Sequence, residues 1–494
     1  MRINRIHRRC GGTADAPGSG PGGRKAVGVQ IPPPARLEKF TNILLVVAFI
    51  LLPRAALAAD TRVILFIIDS VSAELMYEML DSGELPNLSS ALAANGIRVE
   101  EATAPFPTIS FYAHACILTG CWADRHGVTA IRWYDHRTGN SRSYAGIGSE
   151  LIDRDMNPGI KTIFEHLEDL HTASIGSVVH RGADEYVHPW LPPDGARLHS
   201  LMKRYRRSDP PRLSVVVLTG IDWPAHRYGP KSAWVRIDLR KLDRKIGRLM
   251  ALLKKRGLDR STYIFLTADH GHSHREGYVN LYDHLTKQGF DILDKFLYTG
   301  RTEGFTRYDA ALWMAGVGYA FLYLPHRTDT DLDWTRRPDE NMLRAYPVGG
   351  RRIDLIKDLT AIPQIAFIVV RDTQSGTFPA FSSSGRLNIA KDLSAYPDVQ
   401  IQLVHLMAAE RAPDILVVAK DGYETAWSWH HGRHGGYSRE EMIVPLLAIG
   451  PGILPGQIPR ARSIDLTPTI LSLFGRYTRP ADFDGVPIPL FSQR

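Results

Sequence analysis

Short runs of valine, isoleucine and leucine, lacking the alternation of a half-buried strand, do most to narrow the folds open to this chain. They fall at Arg62–Ile68, Leu213–Leu218, 262–267, 414–418 and 442–449, with a further one at Ile365–Val370. Strands apolar on both sides are buried on both faces, the condition of a mainly parallel sheet covered by helices. Helix-like stretches separate them at Pro86–Asn95, 157–170 and 235–255; the last carries Ile237, Leu239, Leu242, Ile246, Leu249 and Leu252 near helical spacing. The pattern predicts an α/β fold, a three-layer sandwich with a mainly parallel central sheet. From about residue 271 to 430 the rhythm gives way to a denser mixture of aromatic, proline and glycine residues. This predicts an inserted cap over 271–430 that returns the chain to the same sheet, with a core formed by 59–270 and 431–494.

The formal charge of +8 raises the question of a nucleic-acid or anionic-membrane partner. Residues 1–58 hold nine basic side chains against two acidic ones, so +7 of the +8 lies there. The same segment contains an apolar run over 43–52, too short to span a bilayer, and ends in Ala56-Leu57-Ala58, the small-x-small pattern of a signal-peptidase site. We read 1–58 as an export leader that places the rest in a periplasmic or extracellular setting, with membrane contact only if the leader stays uncleaved. The remaining chain is nearly neutral, and no nucleic-acid partner is expected. Cys116 and Cys121, five apart, point away from each other on a shared helix, so two small buried residues are expected rather than a disulfide.

In an open parallel sheet, ligands bind beyond the carboxyl ends of the strands. Those positions are strongly polar here: Asp69 follows the first run, Asp222 and His226 the second, Asp269-His270-Gly271-His272 the third, and a loop with His430, His431 and His434 comes after 414–418. Imidazole and carboxylate together suit zinc or a similar divalent ion, and this many donors exceeds one tetrahedral site, which suggests two ions. A nucleophile is available in the loop Ala104–His114 that runs into the helix-like 115–118. Ser110 is the first choice there and Thr108 the second, because a helix start and a nearby cation both favour an ionised hydroxyl.

These residues resemble the alkaline phosphatase superfamily, and within it the type I phosphodiesterase/nucleotide pyrophosphatase branch. Phe106-Pro107-Thr108-Ile109-Ser110-Phe111-Tyr112-Ala113-His114 is similar to that branch's Phe-Pro-Thr-x-Thr-Phe-Pro-Asn-His, with Ser110 on the nucleophile position. Leu118-Thr119-Gly120, His126-Gly127-Val128, the segment from Asp222 to Pro230, Asp269-His270-Gly271 and Gly432-Arg433-His434-Gly435 match further family motifs in order. The resemblance implies one zinc on Asp222, His226 and His434 and another on Asp69, Asp269, His270 and the Ser110 oxygen. It further implies hydrolysis of a small phosphate ester, diester or nucleotide pyrophosphate, through a phosphoseryl intermediate.

The branch places an asparagine three residues after its nucleophile, where this chain has Ala113. Arg132 or Arg181 is the expected replacement donor, since a guanidinium grips phosphoryl oxygens bidentately. The change leaves a phosphomonoesterase or phosphonate hydrolase of the same superfamily open, with a non-catalytic zinc-binding protein more remote. A sulfatase is disfavoured because no Cys/Ser-x-Pro-x-Arg segment surrounds Ser110 or Cys116. His272, His274, His430 and His431 are expected to support the site rather than bind metal.

Overall fold

The computed structural model describes residues 60–135, 138–293, 300–301, 305–314 and 317–491, and the leader expected at 1–58 lies outside them. An eight-stranded sheet forms the centre, in the order Gly456–Arg462, Gly96–Thr103, Ile443–Ile449, Thr262–Ala268, Arg62–Ile68, Leu213–Leu218, Thr172–Ile175, Glu185–Val187. Only Ile443–Ile449 runs against the others. From Val63 to Ile68 every side chain is fully buried, which explains a run without alternation. Each such aliphatic or aromatic side chain contributes roughly 1.5–3 kcal/mol by leaving water.

Helices Ala73–Asp81, Pro86–Asn95, Ser110–Thr119, Asp194–Arg204, Ala233–Lys255 and Leu466–Leu473 pack into the core around this sheet. In Ala233–Lys255 the stripe turned inward is Val235, Leu239, Leu242, Ile246, Leu249 and Leu253. The same helix buries Asp243, which accepts from the backbone N–H groups of Asn87 and Leu88. It thereby caps Pro86–Asn95, a helix whose own N-cap residue, Leu85, has no side-chain acceptor.

The structure corrects the sequence reading in two places. Ile365–Val370 and Ile415–Ala419 do not return to the central sheet. They pair with each other in a second, seven-stranded sheet ordered Ile292–Leu293, Ala310–Met314, Tyr319–Tyr323, Ile415–Ala419, Ile365–Val370, Ala380–Ser382, Gly385–Leu387. This sheet too has apolar clusters on both faces, so its strands show the same continuous hydrophobicity as those of the first. The stretch 157–170 is not a helix but turns with one 3-10 segment at Glu165–Leu167, because Asn157-Pro158-Gly159 opens it with turn-forming residues. Among the described residues no helix is long and apolar enough to cross a membrane.

One of those clusters ties the second sheet to the candidate nucleophile. Phe106, Ile109, Tyr112 and Cys116, from the loop and helix around Ser110, share a core with Phe321, Tyr323, Phe367 and Leu416. Cys116 and Cys121 are both buried and free.

Candidate functional site

Strand register brings the first acidic groups together. Ile68 is paired in parallel with Leu218 on one side and Ala268 on the other, so Asp69 and Asp269 emerge side by side at the same sheet edge. Asp222 opens the short helix Asp222–Tyr228, whose turn puts His226 on the same face; His226 Nε2 lies 3.4 Å from Asp222 Oδ1. His434 arrives from the far end of the chain. Gly432-Arg433 forms a two-residue antiparallel bridge with Ser273-His274, and this draws the His434 loop onto the loop after Asp269.

Two groups of possible metal ligands result. Asp222, His226, His272 and His434 have donor atoms within 4.8 Å of one another, as do Asp69, Asp269 and His270. The groups are neighbours, since the His270 and His434 rings stack with centroids 4.1 Å apart. Three of the imidazoles are aimed by the backbone. His226 Nδ1 is 3.0 Å from the Gly432 carbonyl, His434 Nδ1 2.8 Å from that of Thr108, and His270 Nδ1 3.1 Å from that of Gly271. A ring that donates through Nδ1 presents its Nε2 lone pair, which is how metal-binding histidines are commonly oriented.

Close backbone approach makes this geometry possible. A Cβ on Gly432 would lie 2.4 Å from the Ala225 carbonyl oxygen, and one on Gly271 would lie 2.0 Å from that of Glu440. Glycine is therefore required at both positions. Beneath them Arg433 and Glu441 form a fully buried ion pair at 2.6 Å. Glu441 also accepts from Ser273, Thr108 and the Gly436 N–H, while Arg433 donates to the carbonyls of Lys420 and Tyr423.

The charge balance suits cations. Burial, and then the negative charges of Asp269 and Asp222, hold the Asp69 carboxyl well above the usual carboxylate range. Burial also acts to raise Asp269, but His270 and His114 outweigh it and bring that group down to about 2. Burial lowers His226 and His434, leaving neutral imidazoles with lone pairs to offer. The residues thus fit two divalent ions: carboxylates crowded together, neutral imidazoles, and an Asp269 Oδ2 buried without a hydrogen-bond partner.

Ser110 is the first residue of the helix Ser110–Thr119, following Ile109 as N-cap, and its Oγ lies 3.3 Å from His270 Nε2. It sits where the helix dipole and free N–H groups favour negative charge. Thr108 is turned away, with its buried hydroxyl donating to the Gly436 carbonyl at 2.9 Å. A cavity of about 430 Å³ opens onto Ser110, Asp69, Asp222 and His434, and Arg132 and Trp313 form part of its wall. Arg132 lies with its guanidinium 4.6 Å from the Trp313 ring centroid and donates from Nε to Ser143 Oγ at 3.1 Å. Arg181 does not line this cavity. Its guanidinium serves Glu165 and the carbonyls of Asp153 and Ile160. A larger cavity, about 570 Å³, contains none of the predicted site residues, and its Arg337 and Arg411 are engaged with Asp414 and the Asp155 carbonyl.

Sequence reasoning missed two contributors. One is His272, which the structure places in the first ligand group. The other is Ser70, which adopts a left-handed φ of 73°, uncommon outside glycine, and sets its Oγ 2.9 Å from Asp69 and 2.7 Å from Asp222. One hydroxyl proton serves two carboxylates, so Ser70 links the two groups. Removing that link should be felt most without metal. Ser70→Ala is expected to destabilise the metal-free protein by about 1.5–3 kcal/mol, with the deficit shrinking on zinc loading. Thermal unfolding with and without zinc checks this, and equal metal-free midpoints would count against it.

Comparison with known proteins gives a consistent picture. A profile described as type I phosphodiesterase/nucleotide pyrophosphatase matches residues 63–438. An uncharacterised pyrophosphatase/phosphodiesterase of Schizosaccharomyces pombe is 27% identical over 230 residues, 43% of this chain and 45% of that protein. The venom phosphodiesterase of Naja atra is 27% identical over 254 residues, 49% of this chain and 29% of its own. The chain thus matches less than half the length of these relatives. The structure of murine ectonucleotide pyrophosphatase/phosphodiesterase 5, solved in an inactive form with AMP, aligns with a TM-score of 0.60 at 17% identity, covering 86% of this chain and 97% of that one.

Proposed function

Because the chain belongs to the type I phosphodiesterase/nucleotide pyrophosphatase family, we propose that it hydrolyses phosphate esters, of the diester or nucleotide pyrophosphate type, at Ser110. The observation that carries this reading is one helix-start hydroxyl flanked by two His/Asp groups in one cavity. Asp222, His226 and His434 would hold one divalent ion, and Asp69, Asp269, His270 and the Ser110 oxygen the other, with zinc favoured by the mixture of imidazole and carboxylate. Bound there, the ions supply Lewis-acid charge to the phosphoryl, attacking and departing oxygens.

Ser110 gives up its proton to solvent and attacks phosphorus. The bond to the leaving oxygen breaks in line, that oxygen takes up a proton, and a phosphoseryl group remains. Water then attacks the same phosphorus and frees Ser110. Arg132, on the cavity wall, is suited to grip phosphoryl oxygens where Ala113 offers none. Residues 271–430 contribute Trp313 and Val317 to the wall, which supports reading that region as the part that selects the leaving group. The AMP carried by the murine relative favours a nucleotide among the substrates.

The test uses the full chain purified without chelator. It is expected to bind two zinc equivalents and to cleave bis-p-nitrophenyl phosphate, losing activity on chelation and regaining it with zinc, and to leave p-nitrophenyl sulfate intact. Cleavage of p-nitrophenyl phosphate alone would turn the assignment to a phosphomonoesterase. Inertness towards every ester would refute it.

A further inference from the structure

His272 stands apart from the other imidazoles of the site. It is 1% exposed, and neither ring nitrogen has a hydrogen-bond partner, whereas His226, His270 and His434 each have Nδ1 beside a backbone carbonyl. Burying a polar ring nitrogen unpaired is costly, so the orphaned atoms need a partner that the protein's own groups do not supply. Their surroundings indicate which kind. His272 Nε2 lies 3.9 Å from Asp222 Oδ1, and its ring centroid is 4.4 Å from that of His226 and 5.0 Å from that of His434. A buried imidazole whose ring nitrogens have no hydrogen-bond partner, facing two imidazoles and a carboxylate, is a metal donor by its chemistry.

We propose that His272 is a fourth protein donor to the cation held by Asp222, His226 and His434. The inference rests on the two-metal reading above and deepens it. The two ion sites then differ in kind, one rich in imidazole and one rich in carboxylate. The imidazole-rich site should hold zinc more tightly and discriminate more strongly against hard, oxygen-preferring ions such as Mg²⁺ or Mn²⁺.

The experiment strips the full chain of metal and titrates it with Zn²⁺ against a chromophoric chelator, and with Co²⁺ by visible absorption. Wild type, His272→Leu and His272→Gln are compared, with His199→Ala as an exposed imidazole outside both groups. Wild type should take up two equivalents. In both His272 variants one equivalent should bind weaker by on the order of 10²-fold, and the Co²⁺ absorption of that site should change in shape and intensity. His199→Ala should match wild type in both readouts. The Gln variant keeps a polar side chain at the position, so a Leu variant that fails to fold leaves the comparison intact. Two equivalents bound by the variants with wild-type affinities and an unchanged Co²⁺ spectrum would overturn the role of His272 while leaving the two-metal reading in place. A wild-type chain that binds no divalent ion would overturn both.

Discussion

Ser110→Ala should abolish turnover of bis-p-nitrophenyl phosphate, lowering kcat by on the order of 10⁴-fold or more, while the protein keeps its fold. The expected size follows from the role. In the proposed reaction Ser110 supplies the attacking oxygen, and Thr108, the other hydroxyl of the loop, is committed to the Gly436 carbonyl and lies fully buried. Structural damage should be slight, because Ile109 rather than Ser110 occupies the N-cap position and no cap bond is lost. A sharper version asks for the intermediate. Acid quenching during turnover of a ³²P-labelled diester should trap label on the wild-type chain and none on Ser110→Ala. A variant that turns over at the wild-type rate, or that still becomes labelled, would move the nucleophile elsewhere.

The second large effect concerns stability. Arg433→Ala should lower it by about 3–5 kcal/mol, since it leaves the fully buried Glu441 without its countercharge. The paired substitution Arg433→Met with Glu441→Leu should recover much of the loss, because an apolar pair removes both charges rather than stranding one. Denaturant unfolding of the single and double variants measures this, and a single variant with an unshifted midpoint would refute it. A loss of metal should accompany the single change. Arg433 lies beside His434, and Glu441 holds Ser273, Thr108 and Gly436, so both ligand groups and the Ser110 loop draw on this one pair.

What could be read from the chain alone was set by where physical constraint concentrates in sequence. The central strands were legible because burial on both faces demands unbroken apolar runs, and Asp69, Asp222 and Asp269 because each lies just past the end of such a run. Sheet membership was not legible. Ile365–Val370 and Ile415–Ala419 are as apolar as Arg62–Ile68, and hydrophobicity does not record which neighbour a strand hydrogen-bonds. The helix-like stretch 157–170 is turns instead, because Asn157-Pro158-Gly159 opens it with turn-forming residues. Ser70 gave no signal, since an ordinary serine code conceals a left-handed backbone. His272 was visible as a residue, yet its closeness to His434 depends on a bridge between segments about 160 residues apart, Ser273-His274 with Gly432-Arg433. Arg181 shows the converse: a guanidinium whose bonding needs are met by Glu165 and the carbonyls of Asp153 and Ile160, away from the cavity.

Two of the three histidines aimed by backbone carbonyls take them from another segment of the site. His226 rests on Gly432, beside His434; His434 rests on Thr108, beside Ser110; and Ser110 faces His270. Each of these segments is set against the next, so local opening of one loop misaligns donors carried by its neighbours.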